Sequence, residues 1–307
     1  MRTDSRLEEI LNGGIFAVTA ACEPPRGADP GVIREKGKLL EGAVDAINVT
    51  DNQSAVVRMS SIAACVILKE MGFEPIVQMT TRDRNRIALQ SDILGAAALG
   101  MNNLLCLSGD HQRFGDHGTA KNVYDIDSMQ LIRAVHELRE EGKFINGEEI
   151  TIPPKFFIGA AANPFADPFP IRLPRLAKKA AAGADFIQTQ CIYNMNKFRE
   201  WMKGVVDRGL HKKVKILAGV APIRSVGMAE NLKNSVPGMD VPDEVIKRVR
   251  EAGEGREAEE GIKICVETIL ELKDTKGVAG VHIMASDWEE KIPEIVKEAG
   301  LLPRPQL

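Results

Sequence analysis

The chain has 307 residues, 44% of them hydrophobic and 27% charged, which predicts an ordinary globular protein with one barrel or two smaller domains. With 40 basic and 43 acidic residues the net charge is -3, so a general attraction to nucleic acid or to an anionic membrane is not expected. No apolar run reaches the roughly eighteen residues of a membrane span, and the first residues lack the apolar core of a signal peptide. These features predict a cytoplasmic protein that acts on small molecules or on other proteins.

Eight short apolar runs, rich in Val, Ile, Ala or Phe, are typical of strands that are buried on both faces. They cover residues 16–22, 46–51, 75–81, 103–109, 155–162, 186–193, 215–223 and 278–285. A helical pattern follows each of them, as in residues 60–72 and 127–138, and glycines such as Gly72, Gly100, Gly183, Gly209 and Gly300 mark helix ends. This repetition along residues 1–307 favours a single-domain α/β protein, a (β/α)8 TIM barrel, over a doubly wound sheet.

Residues 236–260 form the most irregular and most charged segment. We interpret it as a helical excursion before the last helix and strand, with a solvated surface insertion as the simplest form.

The cysteines and histidines do not predict a metal site. The five cysteines lie far apart and form no C-x-x-C pair, so we expect reduced thiols: Cys22, Cys65, Cys106, Cys191 and Cys265. The five histidines lack the spacing of metal ligands: His111, His117, His136, His211 and His282. The chain also lacks a P-loop, a G-x-G-x-x-G fingerprint and a G-x-S-x-G elbow.

Polar residues close the predicted strands, and the active site of a (β/α)8 barrel lies at the carboxyl ends of its strands. Neutral Asn, Gln and Thr side chains there suit a heterocyclic ligand better than a metal. Asp110 can bind the amidine-like edge of a pterin, or it can simply cap a helix or loop. Gln190 offers both a donor and an acceptor to a heterocycle, or it satisfies buried backbone. Lys179 can reach a cofactor phosphate, although neighbouring lysines on a helix are usually solvated.

The joint order of several short motifs resembles methylenetetrahydrofolate reductase. The resemblance spans almost the whole chain and rests on V-T-A at 18–20 with P-P-R-G at 24–27, N-V-T at 48–50, M-T-T-R-D at 79–83, L-S-G-D at 107–110, A-A-G-A-D-F-I-Q-T-Q at 181–190, G-V-A-P at 219–222 and G-V-H-I at 280–283. It implies a flavin-bearing barrel that reduces 5,10-methylenetetrahydrofolate to 5-methyltetrahydrofolate by hydride transfer from the reduced flavin.

The resemblance also implies a set of site residues. Asp110 falls near both flavin and folate, and Gln190 contacts folate. The remaining flavin contacts fall on Thr50, Gln78, Ser108, Gly109, Tyr124, Asp125, Asn163 and Lys179. The implied cofactor is FAD, with FMN as the alternative, and no metal is implied in this chain.

Three positions depart from the family pattern. Ala21 stands where the family has a glutamate that acts as general acid, and we expect Glu23, two residues on and on the same face of the strand, to serve instead. The alternative for Glu23 is a surface carboxylate before a proline. Gln78 and Ser108 stand where many relatives carry His and Arg, which removes positive charge and opens the possibility of FMN.

The residue comparable to the one that stacks nicotinamide in some relatives is Val226. The electron donor is therefore left open between NAD(P)H and an iron–sulfur partner subunit, and an oligomer is expected. One alternative function is a flavin- or folate-binding subunit of a larger electron- or methyl-transfer complex, without independent reductase activity. Another is a pterin-binding methyltransferase that works with a corrinoid protein and binds no flavin.

Overall fold

The computed structural model describes residues 3–305, and its centre is a closed barrel of eight parallel strands in chain order. The strands are β1 (Ala17–Cys22), β2 (Ala46–Val49), β3 (Pro75–Thr80), β4 (Asn103–Leu107), β5 (Phe157–Ala162), β6 (Phe186–Cys191), β7 (Lys215–Val220) and β8 (Val278–Ile283). Strand β1 pairs with both β2 and β8, which closes the barrel. The predicted (β/α)8 barrel is confirmed.

Helices surround the barrel, and six of them (α1, α2, α4, α5, α7 and α8) begin at a residue whose side chain accepts a hydrogen bond from the first turn. They are α1 (Arg6–Asn12), α2 (Pro30–Leu40), α3 (Ser61–Glu70), α4 (Arg86–Ala98), α5 (Ser128–Glu140), α6 (Arg172–Ala182), α7 (Met195–Asp207), α8 (Val226–Ser235), α9 (Asp243–Glu251), α10 (Glu257–Lys273) and α11 (Ile292–Glu298). At the start of α5 the Asp127 side chain accepts from the Gln130 backbone, and the Gln130 side chain accepts from the Asp127 backbone. This reciprocal capping box fixes where the helix begins.

All eight predicted strands exist, but most of the predictions run one to three residues past the observed carboxyl end. The apolar pattern continues there because the chain stays buried after it leaves the barrel. Ile223, for example, lies beyond β7 and packs in a buried cluster with Ala229 of α8 and Ile264 of α10.

The charged segment 236–260 contains α9, which lies against the barrel helices. Val241, Ile246 and Val249 are buried in the same cluster as Ile223, and Arg248 forms salt bridges with Glu260 and Glu267 of α10. The segment therefore packs on this chain with one apolar face and exposes its charges on the other.

Short helix α1 closes the amino-terminal end of the barrel. Its Leu7, Ile10 and Leu11 are buried with the first inward-facing residues of the strands, including Phe157 and Phe186. These two rings stack with their centroids 5.0 Å apart. Because this end is filled with apolar side chains, a ligand can enter only from the opposite, carboxyl end.

Candidate active site

The barrel interior changes from apolar to polar along each strand. Successive inward positions of β6 are Phe186, Gln188 and Gln190, and those of β2 are Ala46 and Asn48, followed by Thr50 beyond the strand end. Alternate residues of a strand face the same side, so these side chains stack in layers up the barrel. The polar layers form the floor of the open end.

Four buried polar side chains on this floor contact one another. Asn48 Nδ2 donates to Gln188 Oε1 at 2.7 Å, and Thr19 Oγ1 lies 3.0 Å from His282 Nδ1. Burial lowers the pKa of His282 to about 4, so the ring is neutral near pH 7. Asn48 Oδ1 is buried without a protein partner. Since buried polar atoms are nearly always hydrogen-bonded, this oxygen is available to a ligand.

Two adjoining cavities open above the floor. We name them the α6 cavity, of about 360 Å³, which extends to helix α6, and the α8 cavity, of about 670 Å³, which extends to helix α8. Gln78, Gln190, His282 and Met284 line both of them. Volumes of this order are typical of small-molecule sites.

The structure brings most of the predicted site residues to these cavities. Ser108, Asn163 and Lys179 line the α6 cavity. Glu23, Thr50 and Asp110 line the α8 cavity. Gln78 and Gln190 line both, whereas Gly109, Tyr124 and Asp125 line neither.

Glu23 is buried, so the simple alternative of a surface carboxylate is wrong. The residue is only 5% exposed, and Oε2 lies 3.3 Å from Arg58 Nη2. Ala21, two residues earlier, lines the same cavity, as the alternation of a strand requires. A carboxylate is thus present at the expected face, and it is paired with a guanidinium.

Asp110 lies at the rim of the α8 cavity and caps neither neighbouring helix. Its Oδ2 accepts from the Ser54 backbone at 3.1 Å, and its backbone oxygen accepts from Arg82 Nη1 at 3.1 Å. Arg82 is 2% exposed on its side chain and also donates to the Asn52 backbone. Arg82 therefore ties together the loops that follow β2, β3 and β4.

Tyr124 and Asp125 belong to the rim of the open end. Tyr124 Oη donates to the Gly109 backbone oxygen at 3.3 Å. Hydrogen bonds from the side chain and backbone of Arg86 lower the pKa of Asp125 to about 2. Tyr124 has a φ of 39°, a left-handed conformation that is uncommon outside glycine.

Within residues 3–305, every other non-glycine residue with positive φ also lies in a loop at this end of the barrel. These residues are Asn52, Ser54, Ala55 and Asp287. Backbone strain clusters at functional sites, so its location agrees with a site at the carboxyl ends of the strands.

Lys179 is largely buried, contrary to the expectation for a solvated lysine pair. It donates to the Ala161 backbone oxygen, and burial, followed by repulsion from Arg175, lowers its pKa to about 8. Its neighbour Lys178 is exposed and does not line the cavity.

Sequence reasoning missed two further cations of the α6 cavity, Arg172 and Arg175. They precede Lys179 by seven and four positions on the same helix, and this spacing was the signal that could have identified them. Sequence reasoning also missed the apolar wall of the α8 cavity. Val226 is not part of that wall; Met228 and Leu232, two and six residues further along α8, line it together with Met239.

The residues present fit a flavin. Its ring system carries carbonyl acceptors and an N–H donor, which suit Gln78, Ser108 and the unpartnered Asn48 Oδ1 of the α6 cavity. Its phosphate is anionic, which suits Lys179. No three His, Cys, Asp or Glu side chains of residues 3–305 are grouped as metal ligands.

A polar, two-part cavity at the carboxyl ends of a closed barrel defines a (β/α)8 protein with a candidate small-molecule site. The family described as "Methylenetetrahydrofolate reductase" matches residues 6–300, and the chain belongs to this family.

Curated relatives agree with this assignment. The chain is 24% identical over 312 residues to the "Probable methylenetetrahydrofolate reductase (NADPH)" of Caenorhabditis elegans, covering 96% of this chain and 44% of the relative. It is 26% identical over 245 residues to "Methylenetetrahydrofolate reductase 2" of Schizosaccharomyces pombe, covering 74% of this chain and 36% of the relative. The chain thus spans less than half the length of these relatives.

Solved structures share the fold. One is titled "Uncharacterized protein from Clostridium thermocellum binds two copies of 5-methyl-5,6,7,8-tetrahydrofolic acid", with a TM-score of 0.66 at 14% identity, covering 95% of this chain and 98% of that one. Another, phosphonopyruvate hydrolase complexed with oxalate and Mg++, has a TM-score of 0.51 at 12% identity, covering 95% of this chain and 83% of that one. In the part of the chain described here, no helix is both long and apolar enough to cross a membrane.

Proposed function

We propose that this chain binds a flavin and reduces 5,10-methylenetetrahydrofolate to 5-methyltetrahydrofolate. The observation that carries the proposal is the family match over residues 6–300, which contains the whole barrel and both cavities. The positions expected from the family motifs support it, because all but Gly109, Tyr124 and Asp125 line the two cavities.

Residues of the α6 cavity would hold the cofactor. Gln78 and Ser108 are placed to hydrogen-bond a flavin ring at the barrel axis, and Asn163 and Lys179 line the outer part of the cavity. When bound, a flavin supplies the hydride that such a reduction requires. FAD remains our first choice and FMN the second.

Residues of the α8 cavity would hold the folate. Gln190 offers its amide to the pterin edge from the boundary of the two cavities, and Asp110 lies at the rim. Met228, Leu232 and Met239 form a nonpolar wall against which an aromatic group can pack. The two cavities adjoin, so cofactor and substrate can lie in contact, which is the main requirement for hydride transfer.

The reaction also needs a proton. Opening the five-membered ring of the substrate breaks a carbon–nitrogen bond, and the released nitrogen takes up a proton while the methylene carbon receives the hydride. Ala21 cannot supply the proton, and Glu23 is the buried carboxyl group of the α8 cavity. Its Oε2 lies 3.3 Å from Arg58 Nη2, and a carboxyl group can act as the acid only in its protonated form.

An anaerobic half-reaction tests this function. The chain is loaded with flavin, photoreduced and mixed with 5,10-methylenetetrahydrofolate, while flavin absorbance and 5-methyltetrahydrofolate are followed. We expect rapid reoxidation with formation of the product. Glu23→Gln should slow this step and leave flavin binding unchanged, and Ala21→Glu in the Glu23→Gln background should restore the rate. An unchanged rate in Glu23→Gln would remove Glu23 from the mechanism.

The electron donor is a separate part of the proposal. The name of the C. elegans relative specifies NADPH, so a nicotinamide nucleotide is our first choice. An iron–sulfur partner subunit is the alternative, since Val226 does not line the α8 cavity and offers no stacking surface there. Anaerobic bleaching of the bound flavin by NADH or NADPH would favour the first, and bleaching only with a co-purifying protein would favour the second.

A second candidate is a flavin- or folate-binding subunit that has lost independent reductase activity. Ala21 favours it, because alanine cannot supply the proton that the family's glutamate would supply from this position. Full turnover by the isolated chain would exclude this function. A purified chain that binds methyltetrahydrofolate but no flavin would instead favour a methyltransferase that works with a corrinoid protein.

A further inference from the structure

Phe114 is an exposed aromatic residue that lines the α8 cavity. It lies in the loop after β4, at the end of the short helical turn Gln112–Phe114, and it is 68% exposed. Tyr193 is the other Phe, Tyr or Trp of residues 3–305 that lines either cavity, but it is buried and its Oη donates to the Ala221 backbone oxygen at 3.1 Å. Phe114 therefore provides the exposed aromatic surface of the α8 cavity.

The nonpolar wall of the α8 cavity comes from a different side of the barrel. Phe114 follows β4, whereas Met228 and Leu232 belong to α8, which follows β7. Strands β4 and β7 lie three positions apart in the ring of eight strands, so the two surfaces approach the cavity from different sides. Aromatic and thioether groups both pack well on a flat ring. The cavity thus has two nonpolar surfaces for a flat group that lies between them.

The loop that carries this ring is fastened to neighbouring loops. Asp116 Oδ2 accepts from Arg26 Nη2 at 2.6 Å, and Asp116 Oδ1 accepts from the Val57 backbone at 3.4 Å. Gly115 packs so closely that an added methyl group would lie 1.8 Å from the Ala55 backbone oxygen, so no larger residue fits there unless the loop moves. The backbone that carries the ring is therefore in place before a ligand arrives, which reduces the entropic cost of binding.

The ring of Phe114 has one neighbour that could compete with a ligand. The Arg113 guanidinium lies over the ring, 5.8 Å from its centroid. Because Phe114 is 68% exposed in spite of this contact, the rest of the ring is free to touch a ligand. The hydrogen-bonding groups of the cavity include Asp110, on the same loop, and Gln190. The lining therefore suits a ligand in which a hydrogen-bonding heterocycle is joined to a flat nonpolar ring.

We propose that Phe114 is a specificity-determining residue that packs against the p-aminobenzoyl ring of the folate, on a different side of that ring from the nonpolar wall. The proposal rests on the proposed function and adds to it a residue and the part of the substrate that this residue recognises. A folate consists of a hydrogen-bonding pterin joined to a p-aminobenzoyl ring. With the pterin at Gln190 and Asp110, the p-aminobenzoyl ring lies between Phe114 and the nonpolar wall.

The test compares three ligands that differ in the groups attached to the same reduced pterin. They are 6-methyltetrahydropterin, which lacks the p-aminobenzoyl ring, 5-methyltetrahydropteroate, which has the ring but no glutamate, and 5-methyltetrahydrofolate. The purified chain is titrated anaerobically with each of them by isothermal titration calorimetry. The variants are Phe114→Ala and Phe114→Tyr. Ile87→Ala is the matched control, because Ile87 is 75% exposed at the same end of the barrel and lines neither cavity.

We expect wild type and Ile87→Ala to bind the pteroate and the folate more tightly than the pterin. Phe114→Ala should weaken binding of the pteroate and the folate by about tenfold, as expected for a lost ring contact, and leave pterin binding unchanged. Phe114→Tyr retains the ring and should bind all three ligands as wild type does. Circular dichroism and thermal unfolding verify that each variant is folded.

Two results would overturn the proposal alone. One is unchanged binding of 5-methyltetrahydrofolate by Phe114→Ala. The other is an equal loss for the pterin and the folate, since Phe114 would then act by holding the loop and Asp110 in place and not through the p-aminobenzoyl ring. Failure of the proposed function gives a different result: wild type would bind neither the pteroate nor the folate, and the role of Phe114 would be refuted with it.

Discussion

Replacing Lys179 with Met should make the ligand-free protein more stable, even though Lys179 is one of the residues that we propose to bind the cofactor. The side chain is largely buried beside Arg175, and its pKa is about 8 instead of the usual 10.5. Methionine has a similar length and shape but no charge, so it removes both the burial of an ammonium group and the repulsion. Functional sites often carry this kind of stability cost.

The magnitude follows from the two pKa values. A lysine that titrates at about 8 in the folded chain and at 10.5 in the unfolded chain destabilises the fold at pH 7 by about 3 kcal/mol. Methionine also loses the hydrogen bond to the Ala161 backbone oxygen, which offsets about 1 kcal/mol. The expected net gain in the free energy of unfolding is about 2 kcal/mol.

Urea unfolding of the flavin-free proteins, followed by circular dichroism, measures this gain. The penalty of a lowered lysine pKa is full below pH 8 and fades as the pH rises toward 10.5, so the variant's advantage should shrink over that range. Asp127 and Cys106 also face Lys179 and are retained in both proteins. Lys178→Met is the matched control, with no change expected. Equal or lower stability of Lys179→Met at pH 7 would refute the reasoning.

Three further predictions concern other parts of the barrel. A methyl group at Gly159 would lie 2.3 Å from the Phe186 ring, so Gly159→Ala should destabilise the fold by about 1–3 kcal/mol in urea unfolding. Because the pKa of His282 is about 4 instead of 6.5, the free energy of unfolding of wild type should fall by about 1.6 kcal/mol more than that of His282→Gln between pH 6.5 and pH 5 in the same assay. Arg82→Met should destabilise by about 2 kcal/mol and speed amide hydrogen exchange in the loop around Asp110; exchange that matches wild type would contradict its role in holding the loops.

The barrel was predictable because its two signals are local. Continuous apolar runs mark strands that are buried on both faces, and the helical period between them places one helix after each strand. The strand ends were not predictable from this signal. Ile223 is apolar because it packs under α8 and α10, and sequence alone cannot separate this burial from burial within the sheet.

The lining of the candidate site was predictable where a residue lies at an inward-facing strand position, as Gln78 and Gln190 do. The lining was less predictable where the exposure of a side chain depends on packing against distant parts of the chain. Lys179 is as polar as the exposed Lys178, and only the packing of α6 against the barrel separates a buried cavity-lining lysine from a solvated one. The pairing of Glu23 with Arg58 likewise joins two loops whose contact no local pattern encodes.

Positive and negative side chains lie on opposite sides of the open end of the barrel, and this separation favours one placement of the two proposed ligands over the other. The α6 cavity contains Arg172, Arg175 and Lys179 and no carboxylate, whereas Glu23 and Asp110 line the α8 cavity. An anionic phosphate is therefore favoured on the α6 side. In the proposed reaction, opening of the substrate ring develops positive charge on the reacting nitrogen and methylene carbon, and the Asp110 side chain of the α8 side is placed to stabilise it. The same division disfavours the reverse arrangement, with a phosphate beside Glu23 and Asp110, because like charges would then meet at both ends.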